Sequence, residues 1–284
     1  MSTSLKNKGL FNVHIAGLLF GGTSLFSRSI DLSALDMTAI RSVIAAVVLF
    51  IVLSIHKKPL KLVSAKHGIL MLVSGVLLGL HWVTYFHAMQ VSSIAIGMIA
   101  LFTYPMITIF LEPLIKGALP KQADIICGFV VMFGVLLMVP SFSLESEVTL
   151  GILWGVLSAL LFSVRNVIQG HYLSEYGGEV SILYQSVVVV IMTMCFVDSV
   201  PSIDNHYTWI QLLVLGAFFT ALPHVLFASG LRVLNAKTVS LVSCLQPVYA
   251  TLFALLILKE QPALLTLIGG AIIVIAAAWE TYRS

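Results

Sequence analysis

Charge is scarce in this sequence. Asp, Glu, Lys and Arg make up 10% of its 284 residues, whereas a soluble domain carries about a quarter. Hydrophobic residues make up 59%, and the mean hydropathy is +1.06. A globular core cannot hide that much apolar surface, so a water-soluble fold is excluded and the surrounding solvent must be lipid. Cysteine is scarce too. Cys127, Cys195 and Cys244 fall in separate apolar segments without a C-x-x-C pair, which excludes a disulfide framework and a cysteine metal site. Long polar stretches are missing. The longest, at about 56–66, 141–149 and 199–207, leave no room for a hidden soluble domain. Neither H-E-x-x-H nor G-x-S-x-G occurs, which argues against an intramembrane enzyme. No cofactor, metal or nucleic-acid motif is expected.

What remains is a series of apolar runs. About 20 apolar residues cross a bilayer core of about 30 Å. Ten runs qualify, at roughly 10–29, 36–56, 67–89, 92–115, 122–140, 150–171, 179–198, 208–231, 237–258 and 262–281. The first is too long for a signal-peptide core and reads as a retained helix. With the N-terminus in the cytoplasm, eleven cations lie in cytoplasmic connections: Lys6, Lys8, Lys57, Lys58, Lys61, Lys66, Lys116, Lys121, Arg232, Lys237 and Arg283. Lys259 alone lies in a connection on the opposite side. The positive-inside rule therefore predicts both termini in the cytoplasm of a multi-pass inner-membrane protein.

The chain also repeats itself. A shift of 142 residues, half the length, places Phe20 on Phe162, Val47-Val48 on Val189-Val190, Pro105 on Pro247, Pro120 on Pro262 and Gly128 on Gly270. Three Pro or Gly matches at one offset are unlike chance, since the chain holds only 20 Gly and 9 Pro. Each half has an odd number of spans, so the second half enters the membrane from the opposite face. That is an inverted repeat, a recurrent plan of secondary transporters. The expected units are residues 1–142 and 143–284, in an all-α membrane protein of ten helices.

The residues of the repeat resemble a known family. Phe86-His-Ala-Met-Gln-Val-Ser-Ser93, Ala95, Tyr104-Pro105, Pro120 and Gly128 look like one EamA repeat. Ala228-Ser-Gly-Leu-Arg-Val-Leu-Asn-Ala236, Gln246-Pro247, Leu258-Lys-Glu-Gln-Pro262 and Gly269-Gly270 look like its second copy. Phe20-Gly-Gly-Thr-Ser24 is similar to the family's first-helix motif and adds Ser24 to the candidate site. One departure is visible: Ala118 stands where the second copy has Glu260. The resemblance spans the whole chain. It implies the drug/metabolite transporter superfamily, a central cavity between the halves, and alternating access.

Polar groups inside the bilayer are costly and point to a wet cavity or to partners. Arg41 lies in the second span, near the outer face, and Arg165 in the inner half of the sixth. Asn166 follows Arg165, and Gln169 lies four residues on, a polar face hard to turn toward lipid. His81, Trp82, Tyr85 and Phe86 offer an aromatic face with hydrogen-bonding tips on the third span. His224, after Pro223, is the repeat partner of Trp82. Pro105 and Pro247 are expected as paired mid-span hinges, with Tyr104 and Gln246 beside them. His81 and His224 are the groups able to carry a proton.

No Asp or Glu lies in the middle of any span. A carrier of cations is expected to bury one. This chain buries Arg and His, so the expected cargo is a small carboxylate such as an amino acid, most simply exported. A carrier of a vitamin, nucleotide or sugar phosphate is the alternative within transport. A membrane scaffold or an intramembrane enzyme is the alternative outside it. The expected partners are the substrate and the bilayer, with the chain a monomer or weak dimer.

Overall fold

The structure is a computed structural model. It describes residues 3–23, 25–92, 94–115, 117–137, 146–202, 204–253, 255–256 and 264–283. Ser24, Ser93, Lys116 and Leu258 to Pro262 lie outside the described residues.

All regular structure among the described residues is helical. In chain order the helices are α1 (Thr3–Thr23), α2 (Phe26–Ser29), α3 (Ala34–Ile55), α4 (Ala65–Val91), α5 (Ile94–Leu101), α6 (Tyr104–Ile115) and α7 (Gln122–Leu137). Then follow α8 (Ser146–Tyr172), α9 (Gly178–Thr193), α10 (His206–Gly216), α11 (Leu222–Leu231), α12 (Ala236–Ser243), α13 (Gln246–Phe253) and α14 (Leu264–Arg283). A π-turn at Ala217–Ala221 joins α10 and α11 into one apolar rod, His206–Leu231. This rod, α3, α4, α8 and the stretch Gly178–Phe196 are long and apolar enough to cross a bilayer unaided. Shorter apolar helices pack with them.

Local sequence sets the helix starts. Ser33, Ser64, Asn205 and Asn235 each accept a backbone N–H with the side chain at an N-cap, a donor the helix itself leaves unpaired. The packing is that of a protein dissolved in lipid. Phe50, Ile126, Phe129, Ile191 and Ile275 are exposed, while Arg41, Arg165, Asn166, Gln169 and Gln185 are buried. Water would reward the reverse arrangement.

The sequence suggests hinges at Pro105 and Pro247, and the helices are interrupted two to three residues before each proline. Phe102 and Thr103 separate α5 from α6, and Cys244 and Leu245 separate α12 from α13. Each proline is the second residue of the helix that follows. Its missing N–H therefore falls where a first turn has no intrahelical acceptor anyway. The two breaks are related by the same 142-residue shift, since α5 at 94–101 maps onto α12 at 236–243.

Contacts fix which helix ends lie together. Arg232 Nε donates to Ser174 O at 2.9 Å, the Lys237 backbone N–H donates to Glu112 Oε2 at 2.7 Å, and Lys237 pairs with Asp124. Lys58 pairs with Glu179, and the Tyr176 hydroxyl accepts from Val63 N–H. Gly9 packs on Val233 and Leu234. Helices α7 and α14 are antiparallel, since Cys127 meets Ala276 while Gly134 meets Gly269 and Ile273. The start of α1, the close of α14 and the lysines among the described residues thus gather at one end of the bundle. At the other end, Asp36 Oδ1 accepts from Asp198 N–H at 3.0 Å and Gln90 Nε2 donates to Leu32 O. The buried acids are anchored at these two ends.

Candidate functional site

The polar interior is organised around one face of α4. His81, Trp82, Tyr85 and Phe86 recur at helical spacing, and all four are buried. His81 Nδ1 donates to Ser158 on α8, 2.7 Å from its hydroxyl and 3.2 Å from its carbonyl. The Ser158 hydroxyl donates back to His81 O at 2.9 Å. Phe162, one turn on from Ser158, stacks on the His81 ring with centroids 4.4 Å apart.

Trp82 and His224 meet across the two halves. Trp82 Nε1–H donates to His224 Nε2 at 3.1 Å, and the residues are 142 positions apart, which is the repeat spacing. They therefore occupy equivalent positions under the 142-residue shift and bond each other directly. His224 Nδ1 lies 2.8 Å from Thr220 O. Since Nε2 accepts, Nδ1 must donate, which assigns the neutral imidazole with its proton on Nδ1. A proton added at Nε2 must displace Trp82.

Pro223 explains the local backbone. It has no N–H to offer the Phe219 carbonyl four residues back. The chain absorbs this as the π-turn, and the Thr23 hydroxyl donates to Phe219 O at 3.3 Å. Tyr104, at the α5–α6 break, donates its hydroxyl to Ser240 O beside the α12–α13 break at 3.1 Å.

These groups enclose a cavity with about 450 Å³ of atom-free space, its mouth included. It is lined by Phe20, Thr23, Arg41, His81, Trp82, Tyr85, Phe86, Leu101, Tyr104, Phe162, His224 and Gln246. Arg41 is the one permanently charged residue in that lining. Its guanidinium carbon lies 4.3 Å from the Trp82 ring centroid and 4.8 Å from that of Phe86. Arg41 is 1% exposed, and its Nε and Nη1 have no hydrogen-bond partner. Aromatic faces favour a cation but do not neutralise it.

The cavity gathers Arg41, His81, Trp82, Tyr85, Tyr104, His224 and Gln246 from the sequence-derived set. It leaves out Arg165 and Asn166, which were expected to face the substrate, and Ser24 lies outside the described residues. Arg165 Nε donates to Gln185 Oε1 at 2.8 Å and Nη1 to Asn166 Oδ1 at 3.0 Å. Of the polar neighbours that suggest a substrate face, Asn166 bonds Arg165 directly, while Gln169 bonds Gln185, the α9 residue that takes Arg165 Nε. Phe20, Thr23, Phe86, Leu101 and Phe162 complete the cavity wall, and Ser158 supports it through His81. Phe162 was marked in the sequence only as the repeat partner of Phe20, and both rings line the cavity.

Comparison with known proteins agrees with this architecture. An uncharacterised transporter of Bacillus subtilis (strain 168) is 24% identical over 293 residues, covering 100% of this chain and 92% of its own. An uncharacterised transporter of Clostridium kluyveri is 28% identical over 188 residues, covering 63% of this chain and 58% of its own. One from Archaeoglobus fulgidus is 23% identical over 199 residues, covering 69% and 71%. A solved crystal structure superposes with a TM-score of 0.80 over all of both chains at 18% identity, which establishes the fold alone. The sequence profile of the EamA-like transporter family matches twice, at residues 7–139 and 149–281. The chain therefore belongs to the EamA-like transporter family, a family of multi-pass membrane proteins.

Proposed function

We propose that the protein is a secondary transporter of a small metabolite that carries a carboxylate group, an amino acid or a related carboxylate, exported across the cytoplasmic membrane. Ten crossings in two inverted halves would expose the cavity to each side in turn. The carrying observation is Arg41: a buried cation with two unpaired nitrogens in a cavity that no carboxylate lines. A planar guanidinium offers parallel N–H donors that match a carboxylate, and burial strengthens such a pair. The aromatic wall suits an organic body attached to that anion.

Counterflow in proteoliposomes tests this reading. Radiolabelled neutral and acidic amino acids, organic acids, vitamins, nucleotides and organic cations are offered in turn. Exchange is expected for at least one carboxylate, and for no organic cation. Exchange confined to cations overturns the reading, and exchange confined to phosphate compounds moves the cargo to the sugar-phosphate and nucleotide class.

The lysine-rich end is assigned to the cytoplasm on the positive-inside rule. A cysteine added at either terminus of a variant lacking Cys127, Cys195 and Cys244 should resist an impermeant maleimide in intact cells. It should react once the cells are opened. Labelling in intact cells reverses the orientation.

A further inference from the structure

A second group of buried donors continues from the cavity toward the basic end. Ser158, Phe162, Arg165 and Gln169 recur at three- and four-residue intervals along one stripe of α8. Ser158 holds His81 and Phe162 lines the cavity. Arg165 follows Phe162 by one turn, a rise of about 4.5 Å. It is fully buried, and no Asp or Glu pairs with it among the described residues. Gln185 and Asn166 take its Nε and Nη1, and Gln185 Nε2 donates on to Gln169 Oε1 at 3.0 Å. These amides orient the guanidinium without neutralising it.

Two donors of this bonded pair are left over. Arg165 Nη2 and Asn166 Nδ2 are buried and have no partner. The amide orientation of Asn166 is fixed, since its Oδ1 faces Arg165. A water molecule could accept from such donors but would leave the positive charge uncompensated. An anion would do both. The chain has acids to spare, yet anchors them at the bundle ends, Asp124 on Lys237 and Asp36 on the Asp198 N–H.

The two arginines also stand at matching depths from opposite ends. Arg41 lies seven residues from the start of α3, at the end holding Asp36 and Asp198, and Arg165 seven residues from the close of α8, at the basic end. Seven residues span about 10 Å of helix. We propose that Arg165 and Asn166 form a second carboxylate-binding station, one turn beyond the cavity toward the basic end. Cargo would occupy it before or after Arg41. This rests on the reading of the cavity as a carboxylate carrier, and it adds a site the cavity does not include.

Acetate serves as the probe. Thermal unfolding of the purified full chain is followed as acetate replaces methanesulfonate at constant ionic strength. Binding to the folded state raises Tm by mass action. Wild type should show a rise, and Arg41→Gln should keep about half of it from the second station. Asn166→Asp places a carboxylate against Arg165 from within the chain. It should raise the starting Tm, lose about half of the acetate response, and abolish the response when combined with Arg41→Gln.

A wild-type response retained in Asn166→Asp overturns the station, as does complete loss in Arg41→Gln alone. Loss in Asn166→Asp alone, with Arg41→Gln unaffected, keeps the station and removes Arg41 from the carrier reading. No response in wild type removes both, and a response to chloride but not acetate rejects the carboxylate assignment. Arg165→Gln, a neutral amide in the same network, takes the place of Asn166→Asp if that variant gives no folded protein, with the same loss of response expected.

Discussion

Replacing Arg41 by Met should make the protein more stable and stop it transporting. Two opposing contributions decide the stability. Arg41 sits over Trp82 and Phe86, and a desolvated cation–π contact contributes about 2 kcal/mol or more. Against it stands a buried charge without an anionic partner, whose desolvation costs several kcal/mol after relaxation. Met retains the apolar stem and its contact with the rings and removes the charge, so the larger contribution wins and Tm rises. Transport loses the hydrogen-bonded charge pair with the cargo. Removing one partner of a buried charge pair costs about 2–5 kcal/mol, so counterflow should fall on the order of a hundredfold. Arg41→Lys should fall between, because it keeps the charge and loses the two-donor fork. Normal counterflow in Arg41→Met would show that the cargo does not use this cation. A lower Tm together with lost transport would make Arg41 a structural residue.

The sequence made the large features of this site legible, and physical reasons separate them from the rest. Spans are visible because a bilayer demands long apolar runs whatever the helices touch. The repeat is visible because Pro and Gly are few, and it led directly to Trp82 and His224, which prove to bond each other. In one dimension Arg165, with Asn166 and Gln169 on its helix face, reads as the stronger cavity cation, yet the cavity is lined by Arg41 and not by Arg165. What distinguishes them is the rotation of each helix against its neighbours. Gln185 reaches Arg165 from α9, while α4 presents two rings to Arg41. No local pattern encodes either contact. The bond between His81 and Ser158 joins residues 77 positions apart and was likewise invisible. The helix breaks lay between these extremes. Pro105 and Pro247 marked them, but the turns that break the chain are the two residues before each helix restarts.

Gly178→Val should prevent folding, and Gly178→Ala should already destabilise it. Gly178 opens α9 at the basic end, where that helix crosses α11. A β-carbon built on it would stand 2.3 Å from the Val225 carbonyl oxygen and 3.1 Å from the Ser229 backbone nitrogen. These are backbone atoms of another helix, so no side-chain rotation relieves the overlap. Small residues at such crossings let membrane helices approach closely, and packing there is the main attraction between them. Alanine must push α9 away from α11, at the roughly 1–3 kcal/mol typical of overpacking. Valine adds two methyl groups to the same overlap. The displaced helix also carries Gln185, seven residues on, which orients Arg165. Gly68→Ala is the contrasting substitution, since its nearest neighbour would be the end of the Leu62 side chain at 3.7 Å. Gly68 lies within α4, where alanine is favoured over glycine by roughly 0.5–1 kcal/mol. Size-exclusion profiles and Tm in detergent should therefore move in opposite directions, up for Gly68→Ala and down for Gly178→Ala, with no monodisperse peak for Gly178→Val. A folded Gly178→Val protein of normal Tm would mean that α9 and α11 do not approach this closely in the membrane.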